Sequence, residues 1–172
     1  MQMIDQGGIP ALVDDVRAAD PDNPRGYYEF EPVKKTKDDS MWIHQGIGKV
    51  VKMVHLLLLD LPLVHEYRVV FMRRNLEEVV RSQNIMLERH GKSTGDMPVE
   101  RLHSVFRAQV HKVLEHMRGH ADHFRFIEMD YPGVINDPRP HAEQVSAFLD
   151  GLDVGAMQAV VDASLYRNRA SD

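Results

Sequence analysis

YRVVFMRRNLEEVVRS, from Tyr67 to Ser82, decides the reading of this chain. Its first six residues, Tyr67 to Met72, are aromatic, β-branched or apolar apart from Arg68, the pattern of a strand buried on both faces. Arg73 and Arg74 close that strand. Asn75 then stands where a helix N-cap belongs, and Glu78, three residues on, completes a capping box. Glu77 suits the positive end of a helix dipole. Leu76, Val79, Val80, Met86 and Leu87 lie on one helical face, so the helix is expected to run to about His90 and stop at Gly91. A buried strand leading straight into a helix is half of a parallel α/β unit.

The same alternation continues on both sides. Upstream, Lys49 to His55 (KVVKMVH) reads as another buried strand, followed by a short helical stretch from Leu56 to Asp60 that Pro62 stops. Downstream, Leu102, Val105, Phe106, Val110, Val113, Leu114 and Met117 keep a 3.6-residue period, predicting a long helix from Pro98 to Gly119. His123 to Met129 (HFRFIEM) is a third strand. Asp137-Pro138 opens a helix that Gly151 caps, and a last short helix covers 154–161. Residues 1–6 form one or two helical turns closed by Gly7-Gly8, while residues 20–40 read as a long polar surface loop with a short helix. Residues 1–172 therefore read as a single α/β domain, a parallel sheet between helical layers.

Composition narrows the function. The 21 Lys and Arg against 26 Asp and Glu leave a net charge of −5, which argues against a general nucleic-acid binder. Cys is absent, so disulfides, thiol nucleophiles and cysteine-ligated zinc are excluded. The greasiest run, Leu56 to Val64, is broken by Asp60 and Pro62, so no membrane span is expected. The first residues carry neither a basic nor a long apolar stretch and do not read as a signal peptide, which gives the expectation of a cytoplasmic soluble domain.

Three motifs compete as sites. Gly91-Lys92-Ser93 resembles the end of a phosphate-binding P-loop, but Met86 stands where its first glycine belongs and the motif ends a helix instead of starting one; Gly48-Lys49 has Val50 in place of the Ser or Thr. His116, His120 and His123, with Asp122, are spaced like metal ligands, yet Gly119 interrupts them and no Glu base neighbours the pair, so no metal is expected. Arg73-Arg74-Asn75 differs in its setting. It puts two guanidinium groups at the carboxyl end of a buried strand where a helix begins, the edge at which open parallel sheets bind ligands. A helix start and an Arg fork both favour phosphate oxygens. Ser82, eight residues past Arg74, adds a hydroxyl two turns into the helix. The alternative is that both arginines pair with Glu77, Glu78 or Glu66.

On these residues the chain resembles sulfotransferases that use 3′-phosphoadenosine-5′-phosphosulfate. Their 3′-phosphate motif is a strand ending in Arg-Asn/Asp, an acidic helix start, and a Ser eight residues after the Arg, which Arg74 and Ser82 match. Further similarity to bacterial members lies at Asp22-Asn23-Pro24-Arg25-Gly26-Tyr27-Tyr28-Glu29, Gly48 to Lys52, Ser82-Gln83, Asp130-Tyr131 through Asp137-Pro138 to Leu149, and Leu165 to Arg169.

The resemblance implies a three-layer parallel sheet of the P-loop type. It also implies 3′-phosphoadenosine-5′-phosphosulfate as co-substrate and transfer of a sulfuryl group to a small hydroxyl or amine acceptor. Arg73, Arg74 and Ser82 would then hold the nucleotide. Lys52 falls at the place of the family's strand lysine and would contact the sulfuryl group or bridging oxygen. His55 lies one residue out of register with the family histidine that serves as base.

The family begins with a strand and a Gly/Ser/Thr loop around the 5′-phosphosulfate. No such loop occurs here, and Met1 to Gly8 resembles the end of the helix that follows it. The resemblance thus implies an N-terminally truncated chain that does not transfer sulfate at a useful rate. Self-association is then expected, unless the 20–40 loop fills the gap. The competing reading is a non-catalytic nucleotide-binding or interaction module; a nucleotide kinase relative is the weakest, for want of a Walker loop.

Overall fold

The computed structural model describes residues 1–14, 16–17, 25–79 and 99–165. Its sheet has two parallel strands, β1 (Tyr67–Arg73) and β2 (Phe124–Asp130), paired in register from Tyr67 with Phe124 to Arg73 with Asp130. Both coincide within a residue with the strands expected from their apolar runs. Between them in sequence lies the long helix Val99–Gly119, which packs against β2 and against the 3-10 segment His55–Asp60. The fold is thus mixed α/β, with helices on both sides of a small sheet.

Alternation along the strands divides the interior into two clusters. Tyr67, Val69, Phe71, Phe124 and Phe126 face one side, where Val113, Leu114 and Met117 of the long helix meet Trp42, Leu58 and Leu61. Val70, Ile127 and Met129 face the other, against Val134, Ala142, Val145, Met157 and Ile4. This second side is built by short helices: Gln2–Gln6, Tyr131–Asn136, Pro138–Phe148 and Val154–Ala159. Gly7 lets the first of them approach the last. A Cβ there would sit 2.7 Å from Met157 Cγ, and the Gly7 carbonyl accepts the Asp153 N–H at 3.0 Å.

Two expectations need correction. Lys49 to His55 is not a strand: only Val50 pairs, in an isolated parallel bridge to Ala11, and the chain enters the 3-10 segment at His55. Val50, Val51 and Met53 pack against the core while Val54 is exposed, and among the described residues no neighbouring strand hydrogen-bonds the segment into a ladder, so β-propensity is realised only as extended chain. The part of the 20–40 loop that is described is also not a surface feature. Tyr27, Phe30, Val33 and Thr36 are buried, and the 3-10 turn Glu31–Lys35 seats Val33 in the first cluster.

Residues 76–79 are helical as expected, and Asn75 Oδ1 accepts the Glu77 N–H at 2.9 Å. The rest of that helix, Ser82 and Gly91-Lys92-Ser93 lie outside the described residues. Among the described residues no helix is long and apolar enough to cross a membrane.

Candidate functional site

A cleft of about 1310 Å³ runs along β1 on the side away from β2. Its far wall is the segment from Gly46 to His55, and the long helix contributes Phe106, Arg107, Val110, His111, Leu114 and Arg118. Arg107, His111, Leu114 and Arg118 follow i, i+4, i+7 and i+11 spacing and so share one face, with Phe106 and Val110 four residues apart beside them. Arg73 and Arg74 stand at the carboxyl end of β1, where the strand gives way to helix.

The lining carries seven Lys and Arg side chains and one carboxylate, Glu66, in a chain whose net charge is −5. Most of that excess is offset by carboxylates just outside the lining. Ion pairs around the rim orient five of the seven. Arg73 reaches Glu128 across the strands at 3.1 Å, Arg68 pairs with Asp150, and Arg118 with Glu115. Arg74 Nε lies 3.4 Å from Glu78, whose side chain is 4 % exposed, and its guanidinium sits 5.0 Å from the Tyr131 ring centroid. Lys49 and Arg107 have no carboxylate partner among the described residues.

The two alternatives for the arginines are therefore divided. Arg74 does pair with Glu78, one of the acids named from the sequence, but Arg73 pairs with Glu128, a long-range partner on β2. Neither pairing buries Arg73, half of whose side chain is exposed. Tyr131 is held over the same corner because Asp130 ends β2 and caps the next helix, its Oδ2 accepting the Gly133 N–H at 2.8 Å.

Lys52 and His55 both line the cleft, on its far wall. Lys52 Nζ donates to the Tyr27 carbonyl at 2.8 Å and lies 3.8 Å from Glu29. Burial lowers its pKa below the ordinary lysine value, and the Glu29 charge opposes that shift. His55 packs on Phe106, ring centroids 5.0 Å apart, and its Nε2 is buried without a hydrogen-bond partner. Burial holds its pKa below the ordinary imidazole value, against a hydrogen bond with Gln109, so the ring is neutral at pH 7. A neutral imidazole with an unpartnered nitrogen is chemically able to accept a proton.

The histidines at the other end of the sheet do a structural job. His120 Nδ1 contacts the His116 carbonyl at 2.8 Å, His123 Nδ1 contacts the His65 carbonyl at 3.2 Å, and the His116 ring meets Phe124 edge-on with centroids 5.6 Å apart. Among the described residues no group of His, Asp and Glu is arranged to hold a metal ion.

Sequence reasoning missed Arg107, Lys49, Tyr27 and Tyr131's contact with Arg74. The helical stripe Arg107-His111-Arg118 beside Phe106 and Val110 was readable as a cationic edge to an apolar face; the contacts of Tyr27 and Tyr131 are long-range and had no local signal. Compared with family models, with curated proteins and with solved structures, the chain matches none.

Proposed function

We propose that the cleft binds a doubly phosphorylated adenosine nucleotide, and that the chain is of the type that transfers a sulfuryl group from 3′-phosphoadenosine-5′-phosphosulfate to a hydroxyl or amine acceptor. The observation that carries this reading is the Arg73–Arg74 pair at the carboxyl end of β1, opening into a cleft whose lining is cationic. Guanidinium groups offer forked donors matched to phosphate oxygens. Arg74 is preorganised by Glu78 and Tyr131, so little conformational freedom remains to be lost on binding. The residues present fit the 3′-phosphate end of such a nucleotide.

Lys52 and His55 line the opposite wall. Lys52 supplies positive charge for an anionic leaving group, and neutral His55 supplies an acceptor for the proton of the attacking hydroxyl. The co-substrate itself supplies the activated sulfur.

The second reading, a non-catalytic binding module, draws on one observation. Among the described residues no glycine-rich turn joins a strand to a helix at this cleft, so the preorganised backbone donors that align a phosphosulfate are not provided there. Arg73 and Arg74 alone then bind without accelerating chemistry. The residues 1–172 are accordingly expected to bind adenosine 3′,5′-bisphosphate weakly and to show no useful sulfate transfer with a radiolabelled donor and a panel of hydroxyl acceptors.

Calorimetry with adenosine 3′,5′-bisphosphate tests the site. Arg74→Ala removes a charge-assisted contact worth about 1.5–3 kcal/mol, so affinity falls about tenfold or more. Equal affinity for both proteins overturns the assignment.

A further inference from the structure

The outer edge of β1 carries its own binding information. Tyr67 N–H donates to the His123 carbonyl at 2.7 Å, so the odd-numbered residues of β1 turn their amide groups toward β2. Those of Arg68, Val70 and Met72 turn the other way, into the cleft, where no strand among the described residues pairs with them. The opposite wall is similar. Val50 donates its N–H to Pro10 and accepts the Leu12 N–H, each at 3.0 Å, on the side away from the cleft. Alternation then turns the amide groups of its neighbour Val51 inward.

We infer that this slot takes a single extended peptide segment that hydrogen-bonds to the free edge of β1. Its volume of about 1310 Å³ leaves room for an extended segment alongside β1. Its lining specifies the segment. Leu58, Val110 and Leu114 reach it from one hydrophobic cluster, and Ile4, Ile9 and Val70 from the other. An inserted strand meets apolar surface on both faces and must itself be a continuous apolar run, not an alternating one.

A second copy of this sheet does not fit the slot. Its β1 already carries β2 along one edge, whereas a slot walled on both sides admits only a strand with two free edges. Charge fixes the flank. Lys49 and Arg107, which lack carboxylate partners among the described residues, call for acidic residues flanking the apolar run. The partner is thus an apolar, acid-flanked β segment bound by strand addition. This inference stands without the nucleotide reading, because it uses the backbone of β1 and not the phosphate chemistry of its end.

The probe is a synthetic twelve-residue peptide with five consecutive Val and Ile residues followed by three Asp, added to the 172-residue chain in the absence of nucleotide. Amide hydrogen exchange is followed at each β1 residue. The amides of Arg68, Val70 and Met72 exchange fast in the free protein and slow at least tenfold with peptide, while those of Val69 and Phe71 are already slow and stay so. A peptide of equal composition with the apolar residues interleaved among polar ones gives no protection. Neither does one N-methylated at alternate positions of the run. Protection of Arg68, Val70 and Met72 before any peptide is added overturns the inference, as does failure of the peptide to protect them. Equal protection by the N-methylated or interleaved peptide overturns it too.

Discussion

Individual side chains hold this molecule at points where one atom has no substitute. Trp42 Nε1 donates to Thr36 Oγ1 at 3.1 Å, and that hydroxyl donates onward to the Val33 carbonyl at 2.6 Å. Thr36 is 2 % exposed, so no water replaces it. Thr36→Val keeps the shape but strands the indole N–H, and stability is expected to fall by about 1–3 kcal/mol in urea unfolding. At the cleft, Glu78→Gln removes the buried carboxylate that orients Arg74. Its expected effect is weaker adenosine 3′,5′-bisphosphate binding with the fold intact, measured by calorimetry beside circular dichroism. An unchanged affinity would mean that Tyr131 alone suffices to place the guanidinium.

Elements are fixed mainly at their ends. The helix Pro138–Phe148 terminates where Gly151, at φ +103°, donates its N–H to the Ser146 carbonyl at 2.8 Å, with Asp150 before it also at positive φ. A Cβ on Gly151 would meet nothing within 4 Å, so Gly151→Ala isolates backbone strain from crowding. The expected loss is about 1–2 kcal/mol, read as a lower thermal midpoint. At the start of Val154–Ala159 the Asp153 side chain accepts the Ala156 N–H at 2.9 Å. Asp153→Ala is expected to cost about 0.5–2 kcal/mol by the same measurement. These signals are local, which is why Gly151 and the helix it ends were legible from the residues alone.

For the whole molecule, the half-buried histidines His116 and His55 contribute to the response to acid. Burial lowers the His116 pKa, helped by His120 and Lys112, and burial lowers that of His55 against its hydrogen bond with Gln109. Below about pH 6.5 the unfolded chain takes up protons at these positions before the folded chain does. Stability therefore rises with pH through that window and falls as the solution is acidified from pH 7 to pH 5. His116→Phe, beside Phe124, is expected to flatten the fall in unfolding midpoint across that range. A parallel pH profile in the variant would assign the acid response elsewhere.

The sequence by itself determined the elements whose information is local. Apolar runs marked β1 and β2, the 3.6-residue period marked the long helix, and Gly, Asp-Pro and Asn positions marked the ends. It also marked Arg73 and Arg74 as candidate site residues, because two adjacent cations closing an apolar strand are legible without partners. Tertiary structure decided the rest. Lys49 to His55 had strand composition but, among the described residues, no neighbour beyond the Ala11 bridge to complete a ladder, and hydrogen bonds between strands depend on what packs alongside, not on propensity. Residues 27–36 looked polar and superficial, yet Phe30 and Val33 found a place in the core because Trp42 and Leu58 come together there. Arg73's partner, Glu128, lies 55 residues away, and Lys52's contacts with Tyr27 and Glu29 bridge segments that only folding brings together. Long-range pairs and strand neighbours are properties of the assembled chain, and no window of sequence contains them.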